Sequence, residues 1–345
     1  MKSLIYKKNK GIFLEEKNLP KVENSTDAIV KVKMSSICTS DIHIINGFVP
    51  QANDGIVLGH EFVGEIVDIG EDIKHLKIGD RVSANCETFC GECFYCKRGY
   101  INNCIVGGWK LGCIIDGCQA EYVRVPFAQN GLNKIPDNIE YQDALFVGDI
   151  LSSGYFGAEL CEIQKGDTVA VIGCGPVGLC AMKCAKLLGA GKIIALDINE
   201  NRLKIAEEQS CTDIFINPLK EDYNQIIKAN TSNRGADGVI ECAGTNESFR
   251  MAWEIARPNS IVALVAMYEE TQKLPLPQMY GKNLTFKTGG VNAIHCQRLL
   301  QLISEGKLNT NFLISKKINL SEIISGYRYF QEHKNDCLKI AVLHD

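Results

Sequence analysis

The chain has 345 residues, of which 46% are hydrophobic and 23% charged, and a formal net charge of −4. That length exceeds what one small core organises, so two domains are the prior, and the composition is that of a soluble globular protein. The balance leaves no basic footprint for nucleic acid or an anionic membrane surface; no apolar run spans a bilayer, and MKSLIYKKNKGIFLEE lacks the apolar region of a secretory signal, so a cytoplasmic chain is expected.

Residues 1–150 are predicted to be mainly strands and turns. AIVKVKMSSI, GEIVDIG and AEYVRVP carry the short β-branched patches of a half-buried sheet. Cys38 follows the first patch in SSICTSD, and His60 and Glu61 lie in LGHEFVG. Cysteine, histidine and carboxylate are the ligand types of a catalytic zinc, which keeps one position for water or substrate. As a pattern this is weak, because a single cysteine is more often core and a single histidine more often a surface or hydrogen-bonded residue.

The strongest local signal is CGECFYCKRGYINNC, which places Cys90, Cys93, Cys96 and Cys104 in the spacing C-x2-C-x2-C-x7-C. Thiolates are soft ligands, and four of them close a tetrahedral zinc shell with no position for water, so this site is expected to be structural. Sixteen cysteines without export should stay thiols or thiolates. Cys174, Cys180, Cys184 and Cys242 sit in apolar runs and read as small buried hydrophobes, and Cys86 as a bystander to the zinc-binding loop. Asp149 stands in the apolar stretch VGDILSSG. A buried aspartate needs a partner or a metal; otherwise it N-caps a helix that begins here.

From about residue 166 the pattern changes. TVAVIG, KIIALD, TDIFI, DGVIEC and SIVALVA are apolar strands, with PVGLCAMKCAKLLG and ENRLKIAEEQ as helices between the first of them. The alternation predicts a parallel sheet covered by helices, with a domain boundary near residues 150–165. The last fifty residues lose the alternation. GCGPVG follows the first strand and opens a helix, which is the setting a dinucleotide-binding loop requires. Gly173 allows the tight turn, Gly175 the approach of a pyrophosphate, and Gly178 close packing of helix on strand, while Pro176 and Val177 begin the helix whose amides face the anion. Asp197 ends the second strand nineteen residues after Gly178. A carboxylate there suits the adenosine-ribose hydroxyls and repels a 2′-phosphate, so NAD is favoured over NADP. Arg202, five residues on, would tolerate a phosphate. Asp197 is otherwise readable as a helix N-cap.

GHEFVGEIVDIG, GDRV, CGECFYC with Cys104, and GCGPVG with Asp197, in this order, resemble the zinc-dependent medium-chain alcohol dehydrogenase family over nearly the whole chain. The resemblance implies an α/β protein with a GroES-like, β-rich catalytic domain formed by residues 1–152 and 292–345 and a Rossmann doubly wound parallel-sheet domain formed by residues 153–291. It implies two zinc ions per chain. Cys38, His60 and Asp149 would hold the catalytic one, with Glu61 beside it and able to bind in some states. Aspartate in the third position is similar to the bacterial secondary-alcohol branch. Ser40 matches the residue that hydrogen-bonds the substrate oxygen, His43 the end of a proton relay, and Ser153 a residue near the nicotinamide. GGWKLGCIIDGCQAEYVRVP resembles compact bacterial enzymes, which implies a homotetramer. The implied activity is NAD(H)-dependent interconversion of a primary or secondary alcohol with its aldehyde or ketone. Alternatives are a threonine, polyol or steroid-alcohol dehydrogenase of the same family, or a zinc-stapled NAD-binding protein without catalysis. The presence of Cys38, Ser40, His60 and Asp149 disfavours the last.

Overall fold

The computed structural model describes residues 1–344. The chain divides into two compact units, one formed by Met1–Ser152 with the chain from Asn292 onward, the other by Ser153–Val291.

The first unit is built on the strand Ala28–Ile37, whose ten residues carry a nearly continuous buried pattern. Phe62–Ile69 and Lys339–Leu343 flank it, both antiparallel. The sheet runs Ile314–Asn319, Lys339–Leu343, Ala28–Ile37, Phe62–Ile69, Arg81–Ala84 and Leu132–Lys134, with Tyr122–Val125 also paired to the central strand. Two apolar clusters hold it. One gathers Val30, Val32, Phe62, Ile66, Val82, Val123 and Leu132. The other joins Leu4, Ile37, Ile42, Ile44 and Leu58 to Ile323, Tyr327, Phe330 and Ile340, so the C-terminal helix Ile323–Glu332 completes a core begun by the first strands. The last fifty residues, which lose the strand–helix alternation, belong to the first unit, whose core buries the apolar face of that helix.

The second unit is a six-stranded sheet, parallel at every pairing, in the order Ile214–Ile216, Lys192–Leu196, Thr168–Ile172, Ala236–Glu241, Ala256–Leu264 and Thr285–Thr288. This is the doubly wound order of a Rossmann fold. Thr168–Ile172 is buried along its whole length, as a central parallel strand covered on both faces must be. Helices Pro176–Leu187, Glu200–Glu208, Tyr223–Asn230 and Asn246–Ile255 link the strands. The predicted strands and both helices fall within a few residues of these. Cys174, Cys180 and Cys184 are fully buried, whereas Cys242 is only partly so.

Candidate active site and cofactor loop

Three segments of the first unit converge. Cys38 ends the central strand and occupies the N-cap of the helix Thr39–Ile45. His60 and Glu61 precede Phe62–Ile69, and the antiparallel register, with Ser35 opposite Phe62, sets them alongside Cys38. Asp149 comes from the π-helical turn Val147–Leu151, not from a helix N-cap. Wide turns of this kind concentrate at functional sites. Gly148 lets the turn lie on the sheet, since a Cβ there would stand 1.8 Å from the Ala84 carbonyl oxygen.

Each of Cys38, His60, Glu61 and Asp149 offers a ligand atom, and these atoms all lie within 4.8 Å of one another. Asp149 Oδ2 is 3.3 Å from His60 Nε2 and 3.8 Å from Cys38 Sγ. A tetrahedral zinc shell with bonds of about 2.0–2.3 Å spaces its ligand atoms by roughly 3.3–3.8 Å, so the donor set fits zinc. Glu61 Oε1 is buried and has no hydrogen-bond partner among the described residues. Such an orphaned acceptor is costly unless a cation reaches it.

The electrostatics also favour a cation. Burial alone would lower the His60 imidazole, but the adjacent Asp149, Asp41 and Cys38 outweigh it and raise it well above its ordinary value. Burial opposes ionisation of Asp149, yet the His60 contacts and the charge of Lys339 hold it below the usual carboxylate range. Burial and Asp149 push the neighbouring Glu87 up to about 8.

Two partners in this pocket escaped sequence reasoning. Asp41 Oδ1 stands 3.5 Å from His60 Nδ1, and Asp41 is fully buried. A carboxylate behind a metal-ligating histidine fixes its tautomer and raises its basicity. The local signal was an acid three residues after Cys38, where it accepts the Cys38 N–H at 3.1 Å. Lys339, 2% exposed, pairs with Glu61 Oε2, which Ser36 Oγ also approaches. Burial works against the ammonium, but Cys38 and Glu61 keep Lys339 above its ordinary value. No sequence pattern connects residues 278 positions apart.

Ser40 Oγ lies 3.6 Å from Cys38 Sγ. His43 is on the same short helix, one turn on and half-buried. Cys86 lies against Asp149 and not in the four-cysteine lobe; its thiol is raised by burial and by Asp149. Trp109 sets its ring edge-to-face on His60 at 5.6 Å.

The lobe itself brings together the sulfurs of Cys90, Cys93, Cys96 and Cys104, all within 4.8 Å, with Cys104 and Cys90 3.6 Å apart. A Zn–S bond of 2.3 Å implies sulfur–sulfur edges of about 3.8 Å, so this donor set fits too. Backbone hydrogen bonds at Cys96 and Ile105 lower the Cys93 thiol to about 6.

In the second unit, Gly173 takes φ +96° and Gly178 packs so closely that a Cβ would stand 1.8 Å from the Gly173 carbonyl oxygen. Gly175 N-caps the helix, with Pro176 in its first turn. A Cβ on Gly175 would meet only Arg202 Nη1, at 3.7 Å. Asp197 accepts from Cys174 N at 2.6 Å and Asn199 N at 2.8 Å. Asn199, not Asp197, caps the following helix. Ser153 opens the second unit as a buried residue of the helix Ser152–Leu160.

Residues 24–137 match the family described as an alcohol dehydrogenase GroES-like domain, and residues 176–305 match a zinc-binding dehydrogenase family. The chain is similar to an alcohol dehydrogenase of Cupriavidus necator, 32% identical over 369 residues that cover 99% of this chain and 98% of that protein. It is 35% identical to an NADP-dependent isopropanol dehydrogenase of Entamoeba histolytica over 95% of this chain and 91% of that one. The solved structure of the alcohol dehydrogenase TADH from Thermus sp. ATN1 superposes over the full length of both chains with a TM-score of 0.92 at 35% identity.

Proposed function

Because the chain belongs to the zinc-dependent medium-chain alcohol dehydrogenase family, we propose that it interconverts small primary or secondary alcohols with their aldehydes or ketones, using NAD(H) and one catalytic zinc. The observation that carries this is the convergence of Cys38, His60, Glu61 and Asp149 in one buried pocket with Ser40 at its edge. Zinc held there would act as a Lewis acid on the alcohol or carbonyl oxygen. The nicotinamide would supply the hydride chemistry.

The chain's own residues do the rest. Cys38 and Asp149 would contribute two negative charges that offset the two positive charges of a zinc ion, leaving a milder electrophile than a site with a single anion. Asp41 holds His60 with Nε2 toward Asp149. Lys339 keeps one oxygen of Glu61 occupied, leaving Oε1 for the metal. During oxidation Ser40 Oγ takes the substrate hydroxyl proton as it gives up its own toward His43 and solvent, and during reduction the relay runs in reverse. Cys90, Cys93, Cys96 and Cys104 form a second, structural zinc site.

Two features favour secondary alcohols: aspartate as the third ligand, and similarity to a relative named as an isopropanol dehydrogenase. That relative is named as NADP-dependent, whereas Asp197 favours NAD. The Asp197 carboxylate accepts the Gly-loop amide of Cys174, which sets its negative charge beside the loop and against a further phosphate. We assign Gly173, Gly175, Pro176, Val177, Gly178, Asp197, Arg202 and Ser153 to the cofactor, and a cytoplasmic homotetramer to the whole protein. The test is a panel of short alcohols, threonine, polyols and sterols, with the matching carbonyls, each assayed with NAD and NADP at the reduced-nicotinamide absorbance band. Short secondary alcohols with NAD should give the highest kcat/KM. Absence of turnover with every pair would overturn the enzymatic reading, and sedimentation velocity would decide the tetramer.

A further inference from the structure

Beyond Asp41 lies a second layer of polar side chains, sealed from solvent. Asp41 and Gln119 are fully buried and Tyr327 is 2% exposed. Asp41 Oδ2 faces three donors: Cys38 N at 3.1 Å, Gln119 Nε2 at 3.1 Å and the Tyr327 hydroxyl at 3.0 Å. Gln119 Nε2 also donates to the Ser36 carbonyl at 3.1 Å. Its nitrogen thus faces two acceptors, which turns Oε1 toward the Tyr327 hydroxyl, 2.8 Å away. A tyrosine hydroxyl has one proton to give, and an anionic carboxylate is the stronger of its two acceptors. With Oδ2 saturated, Asp41 presents Oδ1 to His60 Nδ1 at 3.5 Å, and neither atom has a hydrogen-bond partner among the described residues.

The backbone is arranged for this contact. Tyr327 follows Gly326 on the helix Ile323–Glu332. A Cβ at Gly326 would stand 2.4 Å from Ile318 Cδ1 and 3.1 Å from Ile37 Cδ1. Glycine therefore seats the helix against the end of the strand that leads into Cys38, and the next side chain reaches a carboxylate 286 residues away in sequence.

We propose that Tyr327 is a positioning residue for His60, acting through Asp41 and Gln119, so that the C-terminal helix sets the orientation and donor strength of one ligand of the catalytic zinc site. This rests on the zinc site proposed above. The carboxylate partner of a metal-bound histidine governs its ring orientation and basicity, and loss of such a partner commonly costs 10–100-fold in metal affinity. Tyr327 stands one step further out. Removing its hydroxyl takes away one of the three donors that hold Asp41, while a phenyl ring preserves the packing.

The test compares the wild type, Tyr327→Phe and Tyr329→Phe, loaded with zinc and then with cobalt(II) exchanged into the catalytic site. Tyr329 lies on the same helix but stacks on His333 at 3.9 Å. All three proteins should hold the same number of metal ions by elemental analysis. Y327F should release its catalytic-site metal to a chromogenic chelator about tenfold faster and shift the cobalt ligand-field bands; Y329F should match the wild type in both. If Y327F does not fold, Gln119→Met removes the neighbouring donor to the same Asp41 oxygen and should move both readouts in the same direction. Release rates and cobalt bands equal to the wild type, in Y327F or in Q119M as its replacement, would overturn the proposal. A wild type that takes up metal only in its four-cysteine lobe would instead overturn the catalytic zinc site and this proposal with it.

Discussion

Ser40 Oγ stands 3.6 Å from Cys38 Sγ without occupying a ligand position, which is where a proton-transfer group has to be if it is to touch a substrate oxygen and leave the metal alone. Ser40→Ala should therefore lower turnover by about 10²–10⁴-fold, with zinc content by elemental analysis unchanged. Turnover at the wild-type level would remove Ser40 from the relay. Asp149 differs in kind, because it closes the metal pocket itself. Asp149→Ala leaves Cys38, His60 and Glu61 without their third strong ligand, and elemental analysis should fall by one zinc per chain. An undiminished zinc content would refute its assignment.

Elements are held in place here by contacts their own sequences do not announce. The helix Asn246–Ile255 in the second unit begins with a Thr245 cap, but its C-terminal end is closed by Lys282 from a distant turn. Lys282 Nζ donates to the carbonyls of Trp253, Glu254 and Ala256 at 2.7, 2.7 and 2.8 Å. Cations at a helix C-terminus satisfy both the orphan carbonyls and the macrodipole. Lys282→Met should cost ~1–2 kcal/mol and lower the Tm of this unit by a few degrees, measured by calorimetry. A Tm equal to that of the wild type would mean that water replaces the ammonium without loss.

At the scale of the whole molecule, the first unit is closed by a strand far along the chain from the one it pairs with. The strand Lys339–Leu343 pairs with Ala28–Ile37, and His344 beyond it meets Ser35 Oγ at 2.9 Å. Burial lowers the His344 imidazole to about 3, so it stays neutral in the folded protein. Between about pH 6.5 and pH 3 the unfolded chain takes up a proton that the folded chain refuses. Stability should accordingly fall as pH drops through that window. His344→Gln should flatten the fall in Tm between pH 6.5 and pH 4.5 relative to the wild type, and parallel curves for the two proteins would show that His344 does not contribute.

Features set by short covalent spacing were legible from the residues alone. Four cysteines within fifteen residues can reach one ion in almost any fold, and a strand, a glycine loop and a helix in succession have one way to pack, so the four-cysteine lobe, the GCGPVG loop and the parallel sheet could all be read in advance. Cys38, His60 and Glu61 offered catalytic-zinc ligand types from the residues alone, but only weakly; the family resemblance joined Asp149 to them. The tertiary structure decided what lies around them: Asp41 behind His60, Lys339 on Glu61, Cys86 beside Asp149 and Tyr327 on Asp41. It also decided that the last fifty residues complete the first unit's core. The physical reason is that a buried charge or hydroxyl is satisfied by whichever polar atom the fold brings within about 3 Å, and that partner carries no periodicity, no motif and no fixed distance along the chain.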